Sequence, residues 1–308
     1  MDLNVNLGGL KMSTPVTTAS GTFGYGTEYV DLLDYSKLGA VTVKGVRKDP
    51  WPGNAMPRHC EVPGGMVNAI GLQGPGVQPF IDHYIEHYCD TVKASLERCG
   101  CDVPVPPMIV NIWGGSVGEY AEVARRLDEY ALANPGSPVA ALECNVSCPN
   151  VKEGGHTFGQ DPAVLNGLVA EVRKATTLPL IVKLAPNVPD LKPYTAACED
   201  NGADALALIN TIPAMVIDIE KRRPSLANRT GGLSGRGIHP AAVKVVYDAY
   251  RATILPILAM GGVYEAKDAI EFMLAGATAV ALGTVLFTDP GAVGAVHDGM
   301  VDYCERHG

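Results

Sequence analysis

The chain has 308 residues, enough for one large domain or two small ones, and its 47% hydrophobic fraction is ordinary for a folded protein. Acidic residues (33) outnumber basic ones (24), giving a net charge of −9, which argues against a nucleic-acid binder. The 35 glycines and 23 prolines follow no period, and no apolar run reaches the roughly 18 residues of a membrane helix.

Short apolar, β-branched runs alternate with helical stretches along the whole chain. The predicted strands are Pro15–Ala19, Ala40–Lys44, Met108–Ile112, Ala140–Asn145, Pro179–Leu184, Ala205–Asn210, Pro256–Met260 and Ala279–Leu282. Their near-continuous hydrophobicity suits parallel strands buried on both faces. The predicted helices are Gln78–Cys99, Ser116–Ala133, Pro162–Thr176, Pro189–Asn201, Pro240–Ala252, Ala266–Ala275 and Asp289–Arg306. Ser116 and Asp161 read as N-caps, and Pro162 occupies a first helical position.

Eight such units predict an α/β fold, a single (β/α)8 TIM barrel over 1–308, with a doubly wound open sheet as the alternative. Two connections are too long for simple loops: Gly45 to Pro107 and Thr211 to Ile238. Both leave C-terminal strand ends, so they read as insertions at the barrel's catalytic face, the first holding a small β excursion.

The residues that follow the apolar runs are polar or glycine at every strand: Ser20-Gly21, Lys44-Gly45, Asn111, Asn145 with Cys148, Lys183, Asn210-Thr211, Gly261-Gly262 and Gly283-Thr284. A core alone predicts no such regularity; a shared site does. The glycine pairs after strands seven and eight suit backbone cradling of a phosphate, although tight turns also use such pairs. Asn68, Asn111, Asn145 and Asn210 bring amides that both donate and accept, matching a heterocycle with alternating C=O and N–H edges, such as a pyrimidine or a flavin. Cys148 sits on a polar, glycine-rich loop whose Gly154, Gly155 and Gly159 would let it move as a lid. Positive charge nearby would lower its pKa, although most loop cysteines are inert.

Several other patterns carry less. The chain holds eight cysteines without a CxxC pair, so reduced thiols in a cytoplasmic protein are expected, without a zinc ribbon or an iron–sulfur site. The first twenty residues show no signal-peptide pattern, which leaves the sequons at Asn145 and Asn228 without relevance. His83-Tyr-Ile-Glu-His87 matches a short zinc-protease pattern but reads as a solvated helix face. Gly21–Gly26 has the wrong glycine order for a dinucleotide loop.

The sequence closely resembles the dihydroorotate dehydrogenases, soluble class 1, type 1B. The resemblance rests on Ala19-Ser-Gly-Thr-Phe-Gly24, Thr42-Val-Lys-Gly45, Pro57-Arg58, Gly65–Gln73, the Cys148 segment, Ile181–Asn187, Leu208–Thr211, Leu226–Asn228, Thr230–Gly235 and Met260–Gly262. It implies an FMN-containing barrel that oxidises dihydroorotate to orotate in pyrimidine biosynthesis. By similarity, FMN would contact Ser20, Lys44, Gly45, Asn111, Asn145, Lys183, Ile209, Gly235, Gly261, Gly262, Gly283 and Thr284. The substrate would contact Lys44, Asn68, Ala69, Ile70, Gly71, Leu72, Asn145, Asn210 and Thr211, with Cys148 as the base. The resemblance also implies a partner subunit carrying FAD and a [2Fe–2S] cluster, electrons passed to NAD, and a barrel homodimer within a heterotetramer. Neither nucleic acid nor membrane is implied as a partner. The alternatives are a fumarate-using type 1A enzyme and a dihydropyrimidine dehydrogenase barrel. Gly74, Trp113 and Arg236-Gly237 depart from the family pattern, the first two near the flavin end.

Overall fold

The computed structural model describes residues 3–146 and 158–307. An antiparallel hairpin of β1 (Val5–Leu7) and β2 (Leu10–Met12) opens the chain, followed by β3 (Val16–Thr18) and β4 (Val41–Val46). A second hairpin, β5 (His59–Val62) and β6 (Gly65–Asn68), leads to β7 (Met108–Ile112), β8 (Val139–Asn145), β9 (Leu180–Lys183) and β10 (Ala205–Leu208). Then come β11 (Ile212–Met215), β12 (Ile217–Asp218), β13 (Arg223–Pro224), β14 (Thr230–Ser234), β15 (Ile257–Met260) and β16 (Ala279–Leu282).

Eight of these strands form one parallel sheet in the order β3-β16-β15-β10-β9-β8-β7-β4, with helices between them in sequence. The (β/α)8 barrel read from the sequence is therefore present, and its eight strands are the eight predicted runs, displaced at their ends by up to two residues. Threonines link the two terminal strands of this sheet. Thr17 Oγ1 donates to the Ala40 carbonyl at 2.8 Å, and Thr18 Oγ1 both donates to the Thr42 carbonyl (3.3 Å) and accepts from the Thr42 amide (3.0 Å).

Strand side chains alternate between two cores, as period two requires. Val41, Val43, Val110, Leu142, Cys144 and Val182 face the helices. Ala40, Ile109, Ala141, Ile181, Ala205, Leu258 and Ala279 fill the barrel interior together with Leu7, Leu10 and Met12 of the first hairpin. The hairpin thus plugs the barrel with apolar side chains. Gly8 makes its tight turn, at φ +59°, and an added Cβ there would stand 2.2 Å from the Asp204 carbonyl oxygen.

The caps behave as the sequence predicts. Ser116 accepts from the Glu119 amide ahead of helix Val117–Ala133, and Asp161 accepts from the Ala163 amide ahead of helix Pro162–Ala175. Helix ends shift more than strand ends: 189–201 narrows to Lys192–Glu199, and 289–306 becomes Ala292–His307. The largest addition concerns the two long connections. The first carries the expected β excursion, but the second is also β-rich. Together they build one four-stranded sheet, β11-β14-β6-β5, at the mouth of the barrel. Among the described residues, no helix is long and apolar enough to cross a membrane.

Candidate active site

A cavity of about 780 Å³ opens between the C-terminal strand ends and the four-stranded sheet above them. That volume lies within the range of small-molecule sites. It collects every site residue expected from the sequence except Cys148. Ser20, Lys44, Gly45, Asn111, Asn145, Lys183, Ile209, Asn210 and Thr211 line it from the barrel, and Asn68, Ala69, Ile70, Gly71 and Leu72 from the loop after β6. Gly235, Gly261, Gly262, Gly283 and Thr284 close the far side. Cys148 and the glycines at 154 and 155 lie outside the described residues; Asn145 and Gly159, on either side of them in sequence, both line the cavity.

The polar floor follows from the alternation just described. Two residues above the apolar layer of Ala40, Ile109, Ala141 and Ile181 come Thr42, Asn111, Glu143 and Lys183, on four neighbouring strands. The Lys183 ammonium donates to Ser20 Oγ at 3.0 Å and to Glu143 Oε1 at 3.4 Å. Asn111 Nδ2 donates to the same Glu143 oxygen at 2.5 Å. Asn111 Oδ1 is buried and has no hydrogen-bond partner among the described residues. Higher on the wall, Asn210 Nδ2 donates to Asn145 Oδ1 at 3.2 Å, and Tyr120 donates to the Asn145 carbonyl at 2.8 Å.

Lys44 is the second cation of the site. Burial lowers its pKa, Arg58 lowers it further, and Glu28 opposes both. Two described cysteines, Cys144 and Cys198, are buried, and burial raises both thiols, that of Cys198 to about 12. Such thiols are inert, which removes both as candidate bases.

The loop after β6 is held from outside the cavity. Asn54 donates from its backbone to the Ile70 carbonyl (3.0 Å) and from its side chain to the Ala69 carbonyl (2.9 Å). Trp51 Nε1 donates to the Gly71 carbonyl at 3.0 Å, and Trp51 and Gly74 exchange backbone bonds of 2.9 and 3.0 Å. The two departures Gly74 and Trp113 meet here. A Cβ on Gly74 would stand 3.0 Å from the Gly45 carbonyl oxygen, and a Cβ on Gly45 would stand 3.0 Å from Trp113 Cδ1. Arg47 packs over both Trp51 and Trp113, 5.1 and 4.8 Å from the ring centroids, and pairs with Glu119 at 3.0 Å. The departures thus sit in one packed cluster behind Gly45 and Asn111, outside the cavity lining.

On the far side the backbone itself forms a cradle. Gly235, Gly261 and Gly262 have φ of +106°, +132° and +73°, the region that favours glycine. A Cβ on Gly262 would come within 2.9 Å of the Gly235 carbonyl oxygen, so no side chain fits. The turn reading of the 261–262 pair holds, and the turn lines the cavity.

Sequence reasoning missed several lining residues. His59 and Glu61 alternate along β5 and share one face, a period-two signal that was available. Tyr264 and Phe287 had no signal beyond following the glycine pairs. Glu143 lies beneath the lining, fully buried, two residues before Asn145 and so on the same strand face.

The fold and this site define a (β/α)8 barrel with one large cavity of small-molecule size at its C-terminal strand ends, among the described residues. The profile of the family "Dihydroorotate dehydrogenase" matches residues 2–303, and the chain belongs to that family. Members are flavin-dependent oxidoreductases. Among its relatives, the "Dihydroorotate dehydrogenase B (NAD(+)), catalytic subunit" of Pelobacter propionicus is 49% identical over 307 residues, covering 100% of this chain and 95% of its own length. The proteins of that name from Geotalea uraniireducens and Lachnoclostridium phytofermentans are 48% and 47% identical over 307 residues, each covering 100% of this chain and 94% and 96% of their own. The name describes these relatives as one subunit of a larger enzyme.

Proposed function

We propose that this chain oxidises dihydroorotate to orotate on FMN, in cytoplasmic pyrimidine biosynthesis, and passes the electrons to NAD through a partner subunit. The observation that carries the reading is the cavity floor. Asn111 and Lys183 both line the cavity and share Glu143 Oε1, and Asn111 Oδ1, on the Gly45 side, is a buried acceptor without a partner among the described residues. An amide and an ammonium on one floor fit the alternating N–H and C=O edge of a flavin ring. The side-chain-free cradle of Gly235, Gly261 and Gly262, with Gly283 and Thr284 beside it, fits the phosphate.

In this reading Ser20, Lys44, Gly45, Asn111, Asn145, Lys183 and Ile209 hold the ring end of FMN. Asn68 to Leu72, Asn145, Asn210 and Thr211 hold the pyrimidine, their amides reading its C=O and N–H edges. Lys44 offsets the substrate carboxylate. Cys148, as thiolate, takes the proton from C5 of dihydroorotate. When bound, the flavin supplies the acceptor for the hydride leaving C6. Lys183 holds an ammonium where negative charge develops as electrons arrive. The partner carries FAD and a [2Fe–2S] cluster, and two barrels pair within the heterotetramer.

The test is spectroscopic. The purified chain is expected to be yellow, and anaerobic dihydroorotate to bleach its flavin absorbance within a turnover, while dihydrouracil does not. A colourless chain that takes up no FMN, or equal bleaching by dihydrouracil, overturns the reading.

Lys44 adds a pH dependence. Its ammonium is the form that attracts the carboxylate, and its pKa lies below the ordinary lysine value. Orotate affinity is therefore expected to fall as pH rises, beginning below the ordinary lysine range. Titration of the flavin spectrum with orotate measures this. Lys44→Met should bind weakly at every pH; a persistent pH-dependent fall in that variant would assign the effect to another group.

A further inference from the structure

We infer that Glu143 is the positioning residue that sets the polarity of the cavity floor and, through it, the reduction potential of the bound flavin. The inference rests on the flavin reading above. Glu143 is fully buried and lies one step below the cavity lining, so it touches neither flavin nor substrate. One oxygen, Oε1, receives both Asn111 Nδ2 at 2.5 Å and the Lys183 ammonium at 3.4 Å. Its second oxygen, Oε2, is buried without a hydrogen-bond partner among the described residues.

A carboxylate only accepts hydrogen bonds, so its presence decides which way the Asn111 amide lies. The NH2 group must face Glu143, and the oxygen must take the other position, on the Gly45 side. An isolated asparagine could present either end. The same carboxylate, with Ser20 Oγ at 3.0 Å, holds the ammonium of Lys183 at the cavity floor. Glu143 thus fixes both the Asn111 amide and the Lys183 ammonium at the floor. A buried charge is costly unless paired and hydrogen-bonded, which makes this carboxylate an expensive choice for packing alone.

The charge has a second consequence. A flavin gains negative charge on reduction, which Lys183 favours and a buried carboxylate nearby opposes. In a water-excluded interior these effects are large compared with those at a surface. Glu143 therefore holds the potential more negative than Lys183 alone would set it.

The experiment uses the full chain loaded with FMN, in three forms: wild type, Glu143→Gln and Glu143→Asp. Midpoint potential and the dissociation constant of oxidised FMN are measured for each. Glu143→Gln removes the charge at constant shape and lets the Asn111 amide turn over. Reduced over oxidised flavin should be favoured about tenfold more than in wild type, a positive shift of about 30 mV for a two-electron couple. Oxidised FMN should bind at least about fivefold more weakly. Glu143→Asp keeps the charge but withdraws it from Asn111, so affinity should fall while the potential stays close to wild type. This variant keeps the test available if Glu143→Gln does not fold. Unchanged potential and unchanged affinity in the variants that fold overturn the inference while leaving the flavin reading intact. A wild-type chain that binds no flavin overturns the reading and the inference with it.

Discussion

Cys148→Ala is expected to keep its FMN and to lose at least about a hundredfold in the rate of flavin reduction by dihydroorotate, the lower end of what a general base contributes. A hundredfold corresponds to roughly 2.7 kcal/mol of transition-state stabilisation. The split between binding and rate follows from where the contacts lie. Ser20, Lys183, Asn111 and the 261–262 turn line the cavity, and in the proposed arrangement they hold the flavin, so its occupancy should not depend on the thiol. Loss of the C5 proton is expected to depend on it, because Cys144 and Cys198 are buried with raised pKa values and cannot substitute. Stopped-flow reduction under single-turnover conditions measures the step directly. Reduction at a near-normal rate in the variant would remove Cys148 from the role.

Much of this site could be read from the sequence because a parallel barrel strand is written twice over. Its interior demands an apolar run, and its C-terminal end demands whatever the site needs, so the change from Val182 to Lys183 or from Ile209 to Asn210 marks the boundary. The same logic failed where a functional residue lies inside the run. Glu143 interrupts Ala141-Leu142-Glu143-Cys144, yet only the structure shows that it shares a face with Asn145 and meets Lys183 from the next strand. The mouth sheet was hidden for another reason. β11 and β14 carry Pro213 and Gly231-Gly232, residues depleted in strands; they pair with each other, and β14 pairs with β6 from a distant part of the chain. Non-local pairing compensates for poor local propensity, which a reading of windows cannot detect. The hairpin at the base had a usable signal, since Gly8-Gly9 between two apolar-containing runs is a favoured two-residue turn.

The isolated chain loaded with FMN is expected to reduce NAD at no more than about 1% of the rate reached with its partner subunit, while reacting normally with dihydroorotate. The cavity, about 780 Å³, is of the size that encloses a single small ligand system. In the proposed arrangement the glycine turn at Gly235, Gly261 and Gly262 takes the flavin phosphate at one end, and the loop 68–72 lines another. With flavin and substrate placed as proposed, a nicotinamide would have to reach the flavin where dihydroorotate binds, so both would compete for one position. A one-electron relay through a docked partner avoids that conflict, because electrons need proximity to the ring edge and no open face. Assays compare the FMN-loaded chain alone, with NAD, and then co-expressed with an FAD and [2Fe–2S] subunit. Robust NAD reduction by the chain alone would overturn the need for a partner. Rapid turnover with fumarate would identify a small acceptor that shares the dihydroorotate position, and would move the protein to the fumarate-using type of its family.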